Sequence, residues 1–253
     1  MKLGFIRGVT VAAVLALAAT SAVSIPVSAQ SVSAQVRVIH ASPDAPAVDI
    51  YVDATRALAG VPYKAVSSYL NVPAGDRRVQ VRPAGADPSS AAVIDAIVTP
   101  QGGRSYTVMA TGALANIAPV VIADDLTAPA PGKGKVRVIH ASPDAPAVDI
   151  AVKNGPVLVS NLSFRSATPY LQLDPGTYDL EIRPAGTTTV AVPLPGVHVE
   201  AGKVVSAIAV GFLGGRTPSF EVMLVSDASF SNTANVTPTE LTRRIYEFLY
   251  GAR

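Results

Sequence analysis

Fifteen residues, Val36–Ile50 (VRVIHASPDAPAVDI), recur without a single change as Val136–Ile150. An identity of this length at an offset of 100 residues marks an internal duplication. Solenoid repeats have periods of about 20–50 residues, so a longer period means two copies of one domain. Whatever fold the first copy adopts, the second must adopt too.

The N-terminus has to be set aside before the fold can be read. Lys2 and Arg7 form a short basic region, Val9–Ala19 is an uncharged apolar run, and Val27-Ser28-Ala29 supplies small residues before a cut. The pattern is that of a secretory signal peptide over residues 1–29, with Ala34 as a second possible cleavage site. An uncleaved anchor is the alternative, but the apolar run reaches Ile25 only through Thr20, Ser21 and Ser24, which is marginal for a span. No later stretch is apolar enough to cross a membrane, so no transmembrane segment is expected in the mature chain.

Removing the leader changes the charge balance. The 20 Lys+Arg lose Lys2 and Arg7, which leaves 18 against 18 Asp+Glu. A formally neutral chain without a basic cluster does not point to nucleic acid. The absence of Cys excludes disulfides, thiol catalysis and Cys-based zinc sites.

Both copies alternate with period two. Over Gln35–Ala41, Val36, Val38 and His40 share one face, and Arg37, Ile39 and Ala41 the other. Ser42-Pro43-Asp44-Ala45-Pro46 is a turn. Ala47–Asp53 is a strand with Val48, Ile50 and Val52 inward and Asp49 and Tyr51 outward. Residues 54–64 read as a looser segment. Strands follow over 67–72, 77–82, 91–99, 105–111 and 119–123, separated by Pro/Gly turns. The second copy repeats this order, with Pro193 and Pro195 marking an edge or broken strand. Seven or so short strands in roughly 95 residues predict an all-β chain of two tandem antiparallel β-sandwich domains, immunoglobulin-like in type. The domains are expected over residues 30–127 and 136–229, joined by a Pro/Gly linker over 128–135. A protease should reach Lys133 and Lys135 there and leave two separately stable fragments.

Residues 230–253 depart from the repeat. The stretch 226–235 is polar. Thr237-Pro238-Thr239-Glu240 is a capping box with Pro at the first helical position. Leu241, Ile245, Phe248 and Leu249 then fall on one helical face. A short C-terminal amphipathic helix is expected, docked on its own domain or on a partner.

The string HASPDAPAVDI, followed by RPAG (Arg82–Gly85 and Arg183–Gly186) and by Gly103-Arg104 or Gly202-Lys203, resembles the family known as domain of unknown function 4397. The resemblance covers residues 36–125 and 136–227. It implies an exported microbial protein, often with tandem copies. That family has no assigned activity, so the resemblance implies location and domain count rather than chemistry. One departure is Val205, where the first copy has Tyr106, and it concerns packing.

The repeated polar set is His40, Asp44 and Asp49, with its copy His140, Asp144 and Asp149. Histidine with two carboxylates is a usable metal-ligand or acid–base set. The structural alternative has Asp44 closing a turn and His40 satisfying backbone groups. It also has Asp49 paired across strands with Arg82, and Asp149 with Arg183. GxSxG and HExxH motifs are absent, and no catalytic residue or cofactor is assigned. The expected role is binding or structural, in an exported or cell-envelope protein with an unknown envelope or extracellular partner. A metal-dependent or acid–base enzyme using the His/Asp set is the alternative.

Overall fold

Period-two alternation becomes sixteen strands within residues 32–230, the part of the chain that the computed structural model describes. The expected signal peptide and C-terminal helix lie outside those residues. The first half contains β1 (Ser33–Ala41), β2 (Val48–Val52), β3 (Thr55–Val61), β4 (Leu70–Pro73), β5 (Arg77–Pro83), β6 (Ile94–Val98), β7 (Ser105–Thr111) and β8 (Ala118–Asp124). The second half contains β9 (Gly134–His140), β10 (Val148–Val152), β11 (Val157–Leu162), β12 (Leu171–Leu173), β13 (Gly176–Pro184), β14 (Val192–Val199), β15 (Lys203–Val210) and β16 (Glu221–Ser229).

Each half is two four-stranded sheets, ordered β4-β1-β7-β8 and β3-β2-β5-β6 in the first, and β12-β9-β15-β16 and β11-β10-β13-β14 in the second. One sheet of each half is mixed, and the other is purely antiparallel. β1 runs parallel to β7, with Val38 opposite Val108, and β9 runs parallel to β15, with Val138 opposite Ala207. This order also differs from the ABED and CFG sheets of immunoglobulin constant domains.

The segment read as looser and the start of the stretch read as polar are both in strands. The segment after Asp53 is β3, an edge strand joined to β2 by a two-residue turn in which Val52 faces Thr55. That turn needs positive φ at both central residues. Asp53 and Ala54 supply it, at 48° and 67°, without the glycine that would have signalled it. The residues 226–229 belong to β16. β14 is an edge strand, as its two prolines require.

Inside the first half, Val48, Ile50, Val79, Val81 and Ile94 pack with Ala110 and Val38 of the other sheet. Val148, Ile150, Leu162 and Ile182 form the matching core of the second half. A third core lies between the halves. Ile39 and Ala41 of the first half and Met109 of β7 meet Ile139, Ala141, Ile208, Val210 and Val225. β1 and β9 are therefore buried on both faces, the environment in which strands read as nearly continuous apolar runs.

The link between the halves is shorter than its composition suggests. β9 starts at Gly134, and Lys135 is only 3% exposed. Lys133 is the accessible lysine, with its ammonium 2.6 Å from Asp174. Trypsin at limiting dose is thus expected to nick after Lys133 and spare Lys135. Because the halves share a core, the nicked fragments should co-elute in size exclusion until denaturant is added. Elution as two separate species in native buffer would count against the shared core.

Candidate functional site

The repeated block folds into a set of internal hydrogen bonds. His40 is fully buried at the end of β1. Its Nε2 lies 3.0 Å from the Pro46 carbonyl, and Nδ1 lies 3.3 Å from the Ser42 amide. That bonding assigns the neutral tautomer with the proton on Nε2. Burial lowers the imidazole pKa, and the bond to Pro46 opposes this only in part. His140 makes the same bond to Pro146, but its Nδ1 has no partner among the described residues. The next residue but one acts alike in both copies. Ser42 donates to the Gly112 carbonyl at 2.6 Å, and Ser142 to the Gly211 carbonyl at 2.7 Å.

The carboxylates point away from the imidazoles, toward loops. Asp44 accepts the Leu114 amide at 2.7 Å. Asp144 accepts the amides of Leu213 and Gly214 at 2.7 and 2.9 Å. Asp49 accepts the Gly60 amide at 2.7 Å and the Gly85 amide at 3.2 Å. Asp149 accepts those of Asn161 and Gly186 at 2.7 and 2.8 Å. These amides, Gly60 first, hold the Asp49 carboxyl below the usual carboxylate range, and Asn161 first does the same for Asp149. Gly85 and Gly186 have φ near 75° and 74°, and are the glycines of the two RPAG motifs. The terminal Asp of each block and the downstream RPAG are thus two parts of one loop-locking device.

Asp49 and Arg82 do sit opposite each other in register, as do Asp149 and Arg183. The expected ion pairs between them are replaced. Arg82 donates to the Ser90 carbonyl at 3.0 Å and lies 5.1 Å from the Tyr51 ring centre. Arg183 pairs with Glu181 at 2.6 Å. The reason is that loop amides already occupy the aspartate lone pairs, while each arginine has a nearer acceptor on its own strand or loop. Asp49 is also buried rather than outward. Among the described residues, no three His, Asp or Glu side chains gather closely enough to hold a metal ion. The set His40, Asp44, Asp49 and its copy are therefore not brought together.

A second polar constellation lies outside the sequence reading, which placed Arg37 on the strand face opposite Val36 and Val38 and gave it no partner. Both are almost wholly buried between the halves. Arg37 bonds Thr107 of its own half at 2.9 Å and crosses to Asp227 of the other. Arg137 bonds Ser206 at 2.7 Å and crosses to Asp124 at 2.5 Å. Each aspartate also accepts a tyrosine hydroxyl from its own half, Tyr69 to Asp124 at 2.7 Å and Tyr170 to Asp227 at 2.6 Å. Burial, and after it the bond to a carboxylate, pushes both phenols above their ordinary pKa. The arginines also lie over these rings, 5.2 Å from Tyr69 and 4.7 Å from Tyr170. The repetition of Arg37 as Arg137 and of Tyr69 as Tyr170 was the sequence signal available.

The halves differ in their interiors. A cavity of about 700 Å³ lies between the two sheets of the second half, lined by residues such as Val136, Leu173, Leu180, Leu194 and Val222. Its counterpart in the first half is about 250 Å³. Two lining positions on β15 are cut back. Val205 and Ala207 stand where β7 has Tyr106 and Val108, as the shared register with β9 and β1 shows.

Fold and site together define a duplicated two-sandwich β protein whose repeated polar residues lie within the structure. Residues 34–151 and 134–238 match the family model described as "Domain of unknown function (DUF4397)". The chain belongs to that family. No curated protein matches it. Three solved structures are similar to it. The C-terminal domain of AlgF from P. aeruginosa has 18% identity, covers 38% of this chain and 98% of its own, and gives a TM-score of 0.28. The Bacillus anthracis TIE protein has 13% identity with 71% of this chain and 34% of its own, at 0.23, so this chain spans about a third of it. A putative cell adhesion protein from Bacteroides fragilis has 12% identity with 79% and 99%, at 0.18.

Two outcomes follow from this geometry. Asp227→Ala removes the partner of a buried guanidinium and should cost about 3–5 kcal/mol in chemical denaturation. Arg37→Met with Asp227→Leu should recover part of that loss. A single-variant cost below about 1 kcal/mol would place the pair with ordinary surface bridges. The second outcome concerns pH. The folded-state pKa of His40 and of His140 lies below 6.5. Above that pH both rings are neutral in either state and stability is at its full value. As pH falls below 6.5, the unfolded chain takes up protons that the folded one refuses, so stability drops. The limiting slope is about 1.4 kcal/mol per pH unit for each ring. His40→Gln with His140→Gln should flatten the melting curve between about pH 7 and about pH 5, whatever its absolute height.

Proposed function

We propose that the protein is an exported or cell-envelope scaffold of two β-sandwich domains, with a binding or structural role and no catalysis. The observation that carries this reading is the use made of the repeated block. His40, Asp44, Asp49 and their copies are all engaged in bonds that close loops or strand ends. A general base or metal ligand needs a free lone pair facing a substrate or ion. The four carboxylates and the His40 Nδ1 accept backbone amides, and the His140 Nδ1 is buried away from any substrate.

The domains run over residues 30–127 and 136–229 in this reading, with 128–135 between them and 1–29 removed on export. Extracytoplasmic placement, whether secreted, periplasmic or surface-bound, rests on the basic, apolar and small-residue order of the N-terminus. Among the described residues no helix is long and apolar enough to cross a membrane. The partner is an envelope or extracellular component rather than nucleic acid, since the mature chain is formally neutral.

One preparation tests both parts. Protein recovered from the exported fraction should begin at Gln30, and its Tm should not move with EDTA or with added divalent metal. An intact Met1 would remove the export reading. A saturable metal-dependent rise in Tm, abolished by Asp44→Ala or Asp144→Ala, would make the repeated block a site, since only a ligand of the folded state raises Tm in this way.

A further inference from the structure

We propose that the C-terminal segment 237–250 seats its apolar face in the mouth of the second-half cavity, and that this half is open because the segment fills it. The inference is independent of the non-catalytic reading above. It starts from the exit of the chain. β16 runs antiparallel to β15 with Ser229 opposite Lys203, and the Phe230 amide donates to the Gly202 carbonyl at 2.8 Å. Lys203, with Val199 and Glu200 beside it, lines the cavity. The chain therefore leaves the last strand at the rim of the opening.

The segment's length and pattern fit the place. Six residues lie between Phe230 and Thr237, and the seven chain steps between them, fully extended, reach up to roughly 23 Å. A helix over 238–250 would be roughly 20 Å long. Its face of Leu241, Ile245, Phe248 and Leu249 needs apolar cover, because a helix this short is marginal alone in water. The rim offers that cover. Leu224 lines the cavity and is 58% exposed, and Phe230 beside the exit is 37% exposed.

The comparison between halves supplies the second argument. In the first half the Tyr106 side chain lines the smaller cavity, and its hydroxyl accepts the Gln101 amide at 3.2 Å. No amphipathic segment follows β8, which leads instead into the link to β9. In the half followed by such a segment, the equivalent tyrosine is Val205 and the neighbouring valine is Ala207. The enlarged cavity and the extra apolar segment occur in the same half.

The chain has no Trp, so Phe248→Trp in the full protein adds a single indole. Its emission should lie at short wavelength, be protected several-fold from acrylamide, and be independent of protein concentration. Adding Val205→Tyr with Ala207→Val, which restores the first-half residues, should move emission to that of a solvated indole. Where that filled variant does not fold, Leu241→Glu with Ile245→Glu provides the test without touching the sheets. It should release the indole and raise anilinonaphthalene-sulfonate fluorescence several-fold as the cavity opens. A solvated indole in the chain carrying only Phe248→Trp overturns the proposal. So does a buried indole indifferent to a folded cavity-filled variant, protection lost on dilution, which would mean a second copy, or dye binding that Leu241→Glu with Ile245→Glu leaves unchanged.

Discussion

The crossed pairs Arg37–Asp227 and Arg137–Asp124 fix how the two halves meet. Burying four charges is costly, and the attraction recovers that cost only with good geometry and with the remaining donors and acceptors satisfied. Here they are satisfied by side chains from each arginine's or aspartate's own half, Thr107 and Tyr69 on one side and Ser206 and Tyr170 on the other. The apolar contact between the halves would tolerate sliding, because area burial has no direction. The arginines would not. A shift by one strand position would bury a guanidinium without its carboxylate, so the pairs select one register. The arrangement also explains why the interface uses the outer faces of β1 and β9. Residues at equivalent positions in two copies meet across an approximate twofold, and each copy supplies both a cation and an anion.

How much of this was legible in the sequence differs by element. β5 was plain from the alternation of Val79 and Val81 with polar residues, although Gln80 and Arg82 on its other face are buried too. β3 was not, because its turn takes positive φ from Asp53 and Ala54 and its own residues are mostly exposed at a sheet edge. The parallel pairing of β1 with β7 left no local trace, since parallel and antiparallel strands share the period of two. The role of the outer face of β1 was not legible for a different reason. Arg37 marks a solvent face in most strands, and only knowledge of a partner carboxylate 190 residues away reverses that.

The candidate site shows the same limit in another form. His40, Asp44 and Asp49 are close in sequence, and closeness invited a ligand set. Strand geometry disperses them. His40 ends β1, Asp44 sits in the turn and Asp49 lies on β2 in the other sheet of the sandwich. Each then acts on a different loop. The link between Asp49 and Gly85 was absent from the reading because a backbone amide leaves no side-chain signature. Only the glycine needed at positive φ, in RPAG, marked the place. The duplicated block is thus better described by what it ties down than by what it presents.

The two copies match on one strand of each parallel pair and differ on the other. On β1 and β9 both faces recur unchanged, Arg37, Ile39 and Ala41 as Arg137, Ile139 and Ala141 toward the interface, and Val36, Val38 and His40 as Val136, Val138 and His140 toward the interior. β7 and β15 differ on both faces, Thr107 and Met109 against Ser206 and Ile208 at the interface, and Tyr106 and Val108 against Val205 and Ala207 in the interior, where the change in volume is larger. A Val where the other copy has a half-buried Tyr leaves space, and such space ordinarily costs stability. The second half retains fewer fully buried residues in its own core, Val148, Ile150, Leu162 and Ile182, and keeps its fold. The shared core and the crossed ion pairs supply stability from outside the sandwich. That support allows one interior to open while the other stays closed, because the interface tolerates exchanges that keep a hydroxyl beside the arginine, Thr107 for Ser206, and an apolar side chain in the shared core, Met109 for Ile208.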